Sequence, residues 1–258
     1  MLPLSRRHAP RREGRPLLQA TQMSMLAVIQ ARDGSTRLPG KIRADIGGAS
    51  MLAQVVHRVS LTGLPFVVAM PQPGDNEDDV LSRFVRIARK NPLADAFVRI
   101  TADCPLLDSS VVGFVVGIFR REGACDFAGT HPDMDGLDCE VFSRAALLTC
   151  DLAAHGRARE HVTSWMRRNL SPVIVNWAPS PLRWSVDDVG GLDFVRRVYG
   201  ACELCARGVP HHTNSATGIG GVDRTLVIDL HQTEDGGLAE CRAADILRER
   251  VGGPTYVS

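Results

Sequence analysis

Residues Gln30 to Lys41 read QARDGSTRLPGK and follow a short apolar run, Leu26 to Ile29, that has the character of a first strand. A strand that empties into such a loop is suited to holding phosphates. Gly34 and Gly40 let the backbone turn so that several N–H groups converge, Ser35 and Thr36 add hydroxyls, and Arg32, Arg37 and Lys41 bring positive charge. Among thirty basic residues only Lys41 and Lys90 are lysines, so this loop keeps a compact ammonium in a chain that otherwise uses arginine. An ammonium serves a phosphate as a point charge. The fitting guest is a nucleoside triphosphate; the other reading of the loop alone is a solvated turn. The GxxxxGK[ST] spacing of a Walker loop and the GxGxxG dinucleotide fingerprint are both absent here.

Outward from this loop, strand-like and helix-like stretches alternate. The strand-like runs are Leu26 to Gln30, Phe66 to Ala69, Ala96 to Thr101, Cys139 to Phe142, Val173 to Trp177 and Leu182 to Val186. Helical patterns cover Met51 to Val59, Asp79 to Lys90, Ser109 to Arg121, Arg144 to Ala154, Arg159 to Arg168 and Gly191 to Cys205. The alternation predicts an α/β fold, a mostly parallel central sheet with helices on both faces, with ligands at the carboxyl ends of the strands. Residues 1 to 24 form a basic arm without apolar periodicity, expected to be disordered, and Met23 and Met25 are alternative starts. Residues 25 to 209 form the main domain. Residues 210 to 258 are an appendage, with a strand expected over Thr225 to Leu230 and an amphipathic helix over Leu238 to Arg250.

A chain of 258 residues buries a full core. Its formal net charge of +1 gives no electrostatic footprint for nucleic acid. The longest apolar run, Val111 to Phe119, is far short of a membrane span, and the first residues lack the apolar region of a secretory signal, so a cytoplasmic location is expected. Seven scattered cysteines read as reduced thiols. Cys202 and Cys205, followed by His211 and His212, are either ordinary helix cysteines or half of a zinc site that has no second CxxC.

Two aspartates fall at the carboxyl edge of the expected sheet. Asp103 follows the Ala96 to Thr101 strand and Asp187 follows the Leu182 to Val186 strand. Each could cap the next helix. Together, beside a cationic loop, they could instead share a magnesium ion, which takes one or two carboxylates plus substrate phosphates.

In chain order, QARDGSTRLPGK, EDDVLSRF (Glu77 to Phe84), RITADCPLLD (Arg99 to Asp108), DGLDCEVFS (Asp135 to Ser143), REHVTSWMRR (Arg159 to Arg168) and LRWSVDD (Leu182 to Asp188) resemble the motifs of the acylneuraminate cytidylyltransferase family. The likeness is strongest to its SpsF-like branch, named for spore-coat polysaccharide biosynthesis, and it spans about residues 25 to 200. It implies a nucleotide-diphospho-sugar transferase fold and transfer of CMP from CTP to a sugar or sugar acid, with magnesium and release of pyrophosphate, serving polysaccharide or glycosylated-metabolite biosynthesis. It also implies a homodimer.

Position by position, the resemblance implies catalytic roles for Arg32, Lys41 and Asp103. It implies nucleotide contacts at Gln30, Ala31, Gly34, Ser35, Arg37 and Arg83, and metal binding by Asp103 and Asp187. Acceptor-side contacts fall on Asp135, Asp138, Glu140, Arg159, Glu160 and His161. Two departures stand out. Asp33 replaces an apolar residue inside the loop, so it is expected to face solvent or pair with Arg32 or Arg37. Only PQPGDN joins Met70 to Glu77, a loss of about one βα unit, which leaves the Phe66 strand as the sheet edge. The alternative to turnover is a nucleotide-binding pseudoenzyme or an interaction subunit of the same fold.

Overall fold

The computed structural model describes residues 23–121, 125–176 and 183–206, together with the backbone of three short strands between 228 and 257. The chain begins with β1 (Met25–Gln30), a 3-10 turn (Lys41–Arg43), β2 (Asp45–Ile46), β3 (Ala49–Ser50), α1 (Met51–Ser60), β4 (Phe66–Ala69), α2 (Val80–Lys90), β5 (Ala96–Thr101) and α3 (Ser109–Arg121). The second half adds β6 (Phe127–Thr130), β7 (Glu140–Ser143), α4 (Arg144–Ala153), α5 (Arg157–Glu160), α6 (Ser164–Asn169), β8 (Val173–Asn176), α7 (Val189–Ala206), β9 (Ile228–Gln232), β10 (Leu238–Ala243) and β11 (Thr255–Val257).

Seven strands form the central sheet in the order β11-β8-β6-β7-β5-β1-β4. β1 runs parallel to both β4 and β5, and β6 runs parallel to β8, while β7 and β11 are antiparallel to their neighbours. Five strands therefore share one direction, as the βα alternation requires. β4 is the edge strand next to the shortened connection, as expected, so the missing unit costs the sheet no interior position.

β1 is apolar from Met25 to Ile29 because both of its faces are covered there. Met25, Ala27 and Ile29 face a core built with residues of α1, α3 and α7, and Leu26 and Val28 face one built with α2 and α4. The starts of α1, α2 and α4 each carry a side-chain cap: Ser50 accepts the Ala53 N–H, Asp79 the Ser82 N–H and Ser143 the Ala146 N–H. No helix among the described residues is long and apolar enough to cross a membrane. Cys104, Cys125, Cys139 and Cys150 are free thiols. Cys202 and Cys205 lie on α7, and His211 and His212 fall outside the described residues.

Four expectations are corrected. Arg183 to Val186 is not a strand but a loop, held by isolated backbone bonds from Trp184 to Asp135 (3.0 Å) and from Val186 to Asp103 (2.8 Å). The helix expected over 159 to 168 is broken into α5 and α6, because buried Val162 takes a positive φ of 32° between them. β6 is a strand that the sequence pattern does not announce; FAGT is short and interrupted by glycine, yet all four residues are buried. In the appendage, Leu238–Ala243 is a strand paired antiparallel with β9 rather than the start of a helix, since sheet pairing overrides local helical preference. The remainder of that expected helix, and residues 1 to 22, lie outside the described residues.

Candidate active site

The carboxyl ends of β1 and β5 open into a cavity of about 250 Å³. It is lined by the loop after β1 (Gln30, Ala31, Arg32, Ser35, Thr36, Arg37, Lys41), by Val80 and Arg83 of α2, by Arg99, Thr101 and Asp103 at the end of β5, by Glu160 and His161, and by Asp187. Five permanent cations face three carboxylates on its walls, which favours an anionic guest.

The loop is shaped from within. Gly40 takes a left-handed conformation (φ 68°) and its N–H donates to the Asp33 carbonyl, while Ser35 accepts the Leu38 N–H on its hydroxyl. This turn delivers Lys41 into the cavity floor. Gly34 packs against the Glu77 side chain, whose carboxylate would have to shift to admit a Cβ there, 2.9 Å from its oxygen. Asp33 pairs with Arg43 rather than with Arg32 or Arg37, leaving both of those arginines unopposed by it. The other Asp33 oxygen is buried without a partner.

Lys41 is the centre of the site. Its ammonium donates to Asp103 (2.8 Å), to the Val186 carbonyl (2.7 Å) and to Asp187 (3.3 Å), which uses all three of its protons. Burial would raise the Asp103 carboxyl, but the charge of Lys41 and its hydrogen bond hold it below the usual carboxylate range. Asp187 also pairs with Arg37 (3.1 Å) and with Arg183, which reaches Asp135 as well (2.5 Å).

The capping alternative for the two aspartates is answered by their neighbours. Asp108 accepts the Ser110 N–H at the start of α3, and Asp188 accepts the Gly191 N–H at the start of α7. Asp103 and Asp187 are thereby left to converge on one cation. The cation on which they converge is the Lys41 ammonium, and these two carboxylates are the residues that could hold a magnesium ion. Among the described residues, no group of three or more His, Cys, Asp or Glu is gathered as a protein-only metal cage.

Arg83 enters the pocket wall despite the short connection before α2. Asp75 in that connection grips Arg86 through two hydrogen bonds (2.6 and 2.8 Å), and these bonds lower the Asp75 carboxyl to about 2. Arg83 itself is buried, donates to the Glu77 carbonyl (2.6 Å) and leaves its Nε without a partner.

The acceptor-side residues divide. Glu160 and His161 line the cavity. Asp135 reaches the site through Arg183, while Asp138 is held above the usual carboxylate range by burial and by neighbouring Glu140, with Arg99 opposing. Glu140 lies behind the wall, its carboxylate filled by Arg99, Arg167 and Thr163. Arg159 lies outside the lining, committed to Asp79 (2.9 Å) and Asp151 (2.8 Å). Arg99 and Thr101 line the pocket without having been singled out from sequence. A charged residue in the middle of a buried strand was the available signal for Arg99.

Residues 26–69 match the family model described as Cytidylyltransferase. The chain is 25% identical over 186 residues to the spore coat polysaccharide biosynthesis protein SpsF of Bacillus subtilis, covering 62% of this chain and 77% of that protein. It is 30% identical over 168 residues to the uncharacterized protein MJ1063 of Methanocaldococcus jannaschii, covering 57% of this chain and 68% of that protein. In three dimensions it resembles a cytidylyltransferase from Leptospira borgpetersenii with a TM-score of 0.63 at 23% identity, over 69% of this chain and 87% of that one.

Proposed function

Since the chain belongs to the cytidylyltransferase family, we propose that it transfers a CMP group from CTP to a hydroxyl of a sugar or sugar acid and releases pyrophosphate. The observation that carries this reading is the convergence of Lys41, Asp103 and Asp187 at the mouth of a glycine- and arginine-rich loop. The resemblance to SpsF favours a role in making a polysaccharide or a glycosylated metabolite.

The triphosphate would lie along the loop after β1, where Arg32, Arg37 and the backbone N–H groups neutralise its charge. Arg37, itself 60% exposed, would exchange its present partner, Asp187, for phosphate oxygen, while Lys41 and Arg183 continue to neutralise Asp187. Lys41 keeps Asp103 and Asp187 apart from mutual repulsion and lends its charge to the departing pyrophosphate. Magnesium, held by Asp103 and Asp187, would add positive charge where phosphate charge builds up. Glu160 and His161, which also line the cavity, would receive the acceptor. The in-line attack on the α-phosphorus demands positioning and charge neutralisation rather than a covalent intermediate on the protein.

The experiment is a thermal-shift panel of CTP, ATP, GTP and UTP, each with and without magnesium, followed by pyrophosphate release with candidate sugar acids. A magnesium-dependent stabilisation selective for CTP is expected. Equal shifts with all four nucleotides, or none, would remove the cytidylyltransferase assignment for this pocket.

A further inference from the structure

Glu140 is a buried carboxylate with no part in the proposed transfer. It stands directly opposite Arg99 in the β5–β7 register, and its side chain is 4% exposed. Three donors converge on it: Arg99 at 2.7 Å, Arg167 at 2.7 Å, and the Thr163 hydroxyl, whose one proton is shared between the two oxygens at 2.9 and 2.8 Å. Such charge-assisted bonds are the strong ones, and in low dielectric they are directional.

The partners of Glu140 lead to two different walls of the pocket. Arg99 lines the cavity and passes its Nε–H to the Gln30 side chain (2.9 Å), which lines it too, at the root of the phosphate-type loop. Thr163 ends the turn that follows Glu160 and contains His161, and both of these residues line the cavity too. That turn contains Val162, a buried β-branched residue at φ 32°, a conformation that persists only where surrounding contacts over-determine it. The Thr163–Glu140 bonds are such contacts. Arg167 closes the group from behind, donating to the Thr130 carbonyl (3.1 Å) and lying over the Phe127 ring. Gly129 makes room for it, since a Cβ there would lie 3.2 Å from its guanidinium.

We infer that Glu140 is a positioning residue that fixes the nucleotide loop and the strained 161–163 rim in one register, so that the two walls of the pocket move together. Its carboxylate meets no ligand; it acts through Arg99 and Gln30 on one side and through Thr163 on the other. The inference rests on the reading of this cavity as the CTP site. An amide in place of the carboxylate would face two guanidinium groups and a hydroxyl with a donor of its own, and the walls would separate.

The test is calorimetric titration of CTP with magnesium into the full chain well below its melting temperature. Wild type is compared with Glu140→Gln and with Thr163→Val, which keeps side-chain size and leaves the Arg99 and Arg167 bonds to Glu140 in place. Each variant's fold is checked by circular dichroism. About tenfold weaker CTP binding is expected for Glu140→Gln and a smaller loss for Thr163→Val, the scale of losing a buried charge-assisted bond. A merely structural Glu140 would lower the melting temperature and leave the affinity of folded protein unchanged, and that result overturns the inference. If Glu140→Gln does not fold, Thr163→Val alone decides on the same criterion. A wild type that fails to bind CTP removes instead the reading of the pocket, and the inference with it.

Discussion

Replacing Lys41 by methionine keeps the length of the stem and removes only the ammonium. Asp103 and Asp187 lose a cation at 2.8 and 3.3 Å, and the Val186 carbonyl loses a donor at 2.7 Å. Fully buried, an orphaned carboxylate would cost roughly 3–5 kcal/mol. Here Asp103 is 29% and Asp187 15% exposed, so water recovers part of it, and Arg37 and Arg183 still neutralise Asp187. A net loss of about 2 kcal/mol is expected. For a chain of this size that lowers the melting temperature by about 4–8 °C. The two carboxylates then face one another with less compensation, so millimolar magnesium should raise the melting temperature of Lys41→Met more than that of wild type. Differential scanning fluorimetry with and without magnesium reads both quantities. A variant that melts within about 1 °C of wild type, or gains no more from magnesium, would refute the picture of Lys41 as the cation that holds the two aspartates together.

Three further outcomes are expected. Asp103→Asn should fold normally and lose at least about a hundredfold in CTP-dependent pyrophosphate release, measured against wild type with the same acceptor; near-normal turnover would remove Asp103 from the mechanism. Gly136→Ala should be destabilised by about 3 kcal/mol or more in chemical denaturation, because φ is 88° there and a Cβ would collide with the backbone of Trp184 and Ser185. The Glu140 carboxyl would be raised by burial but is held below the usual range by Arg99 and Arg167, so its contribution to stability is present above the unfolded value, near 4.3, and is lost as pH falls through the lower folded value. Melting curves from pH 6 down to pH 3 should therefore fall less steeply in Glu140→Gln than in wild type.

The sheet was legible because its strands are short, apolar and separated by helical periods, and β1, β4 and β5 fall where the sequence puts them. The loop after β1 was legible because glycines and cations have few structural reasons to cluster there. The meeting of Asp103 with Asp187 was expected from sequence, but through a strand that the structure replaces with a loop. It depends on the 183–186 loop, whose backbone is fastened by single bonds to Asp103 and Asp135, and such bonds leave no compositional trace. Arg99 was hidden by its strand, and the inward placement of Glu140 by the acidic motif around it. The break at Val162 was hidden too, for a β-branched residue gives no warning of a positive φ.

The Lys41 contacts also order events in time. Asp103 is 62 residues from Lys41 in the chain and Val186 is 145 residues away, so the site is closed by some of the most non-local contacts in the domain. Such contacts lose the most loop entropy and tend to form late. A chain growing from the ribosome would complete β1, its loop and β5 long before Val186 emerges, and would hold a phosphate loop with no floor. Nucleotide binding would then report the last stage of folding, and would stabilise only chains that have reached it.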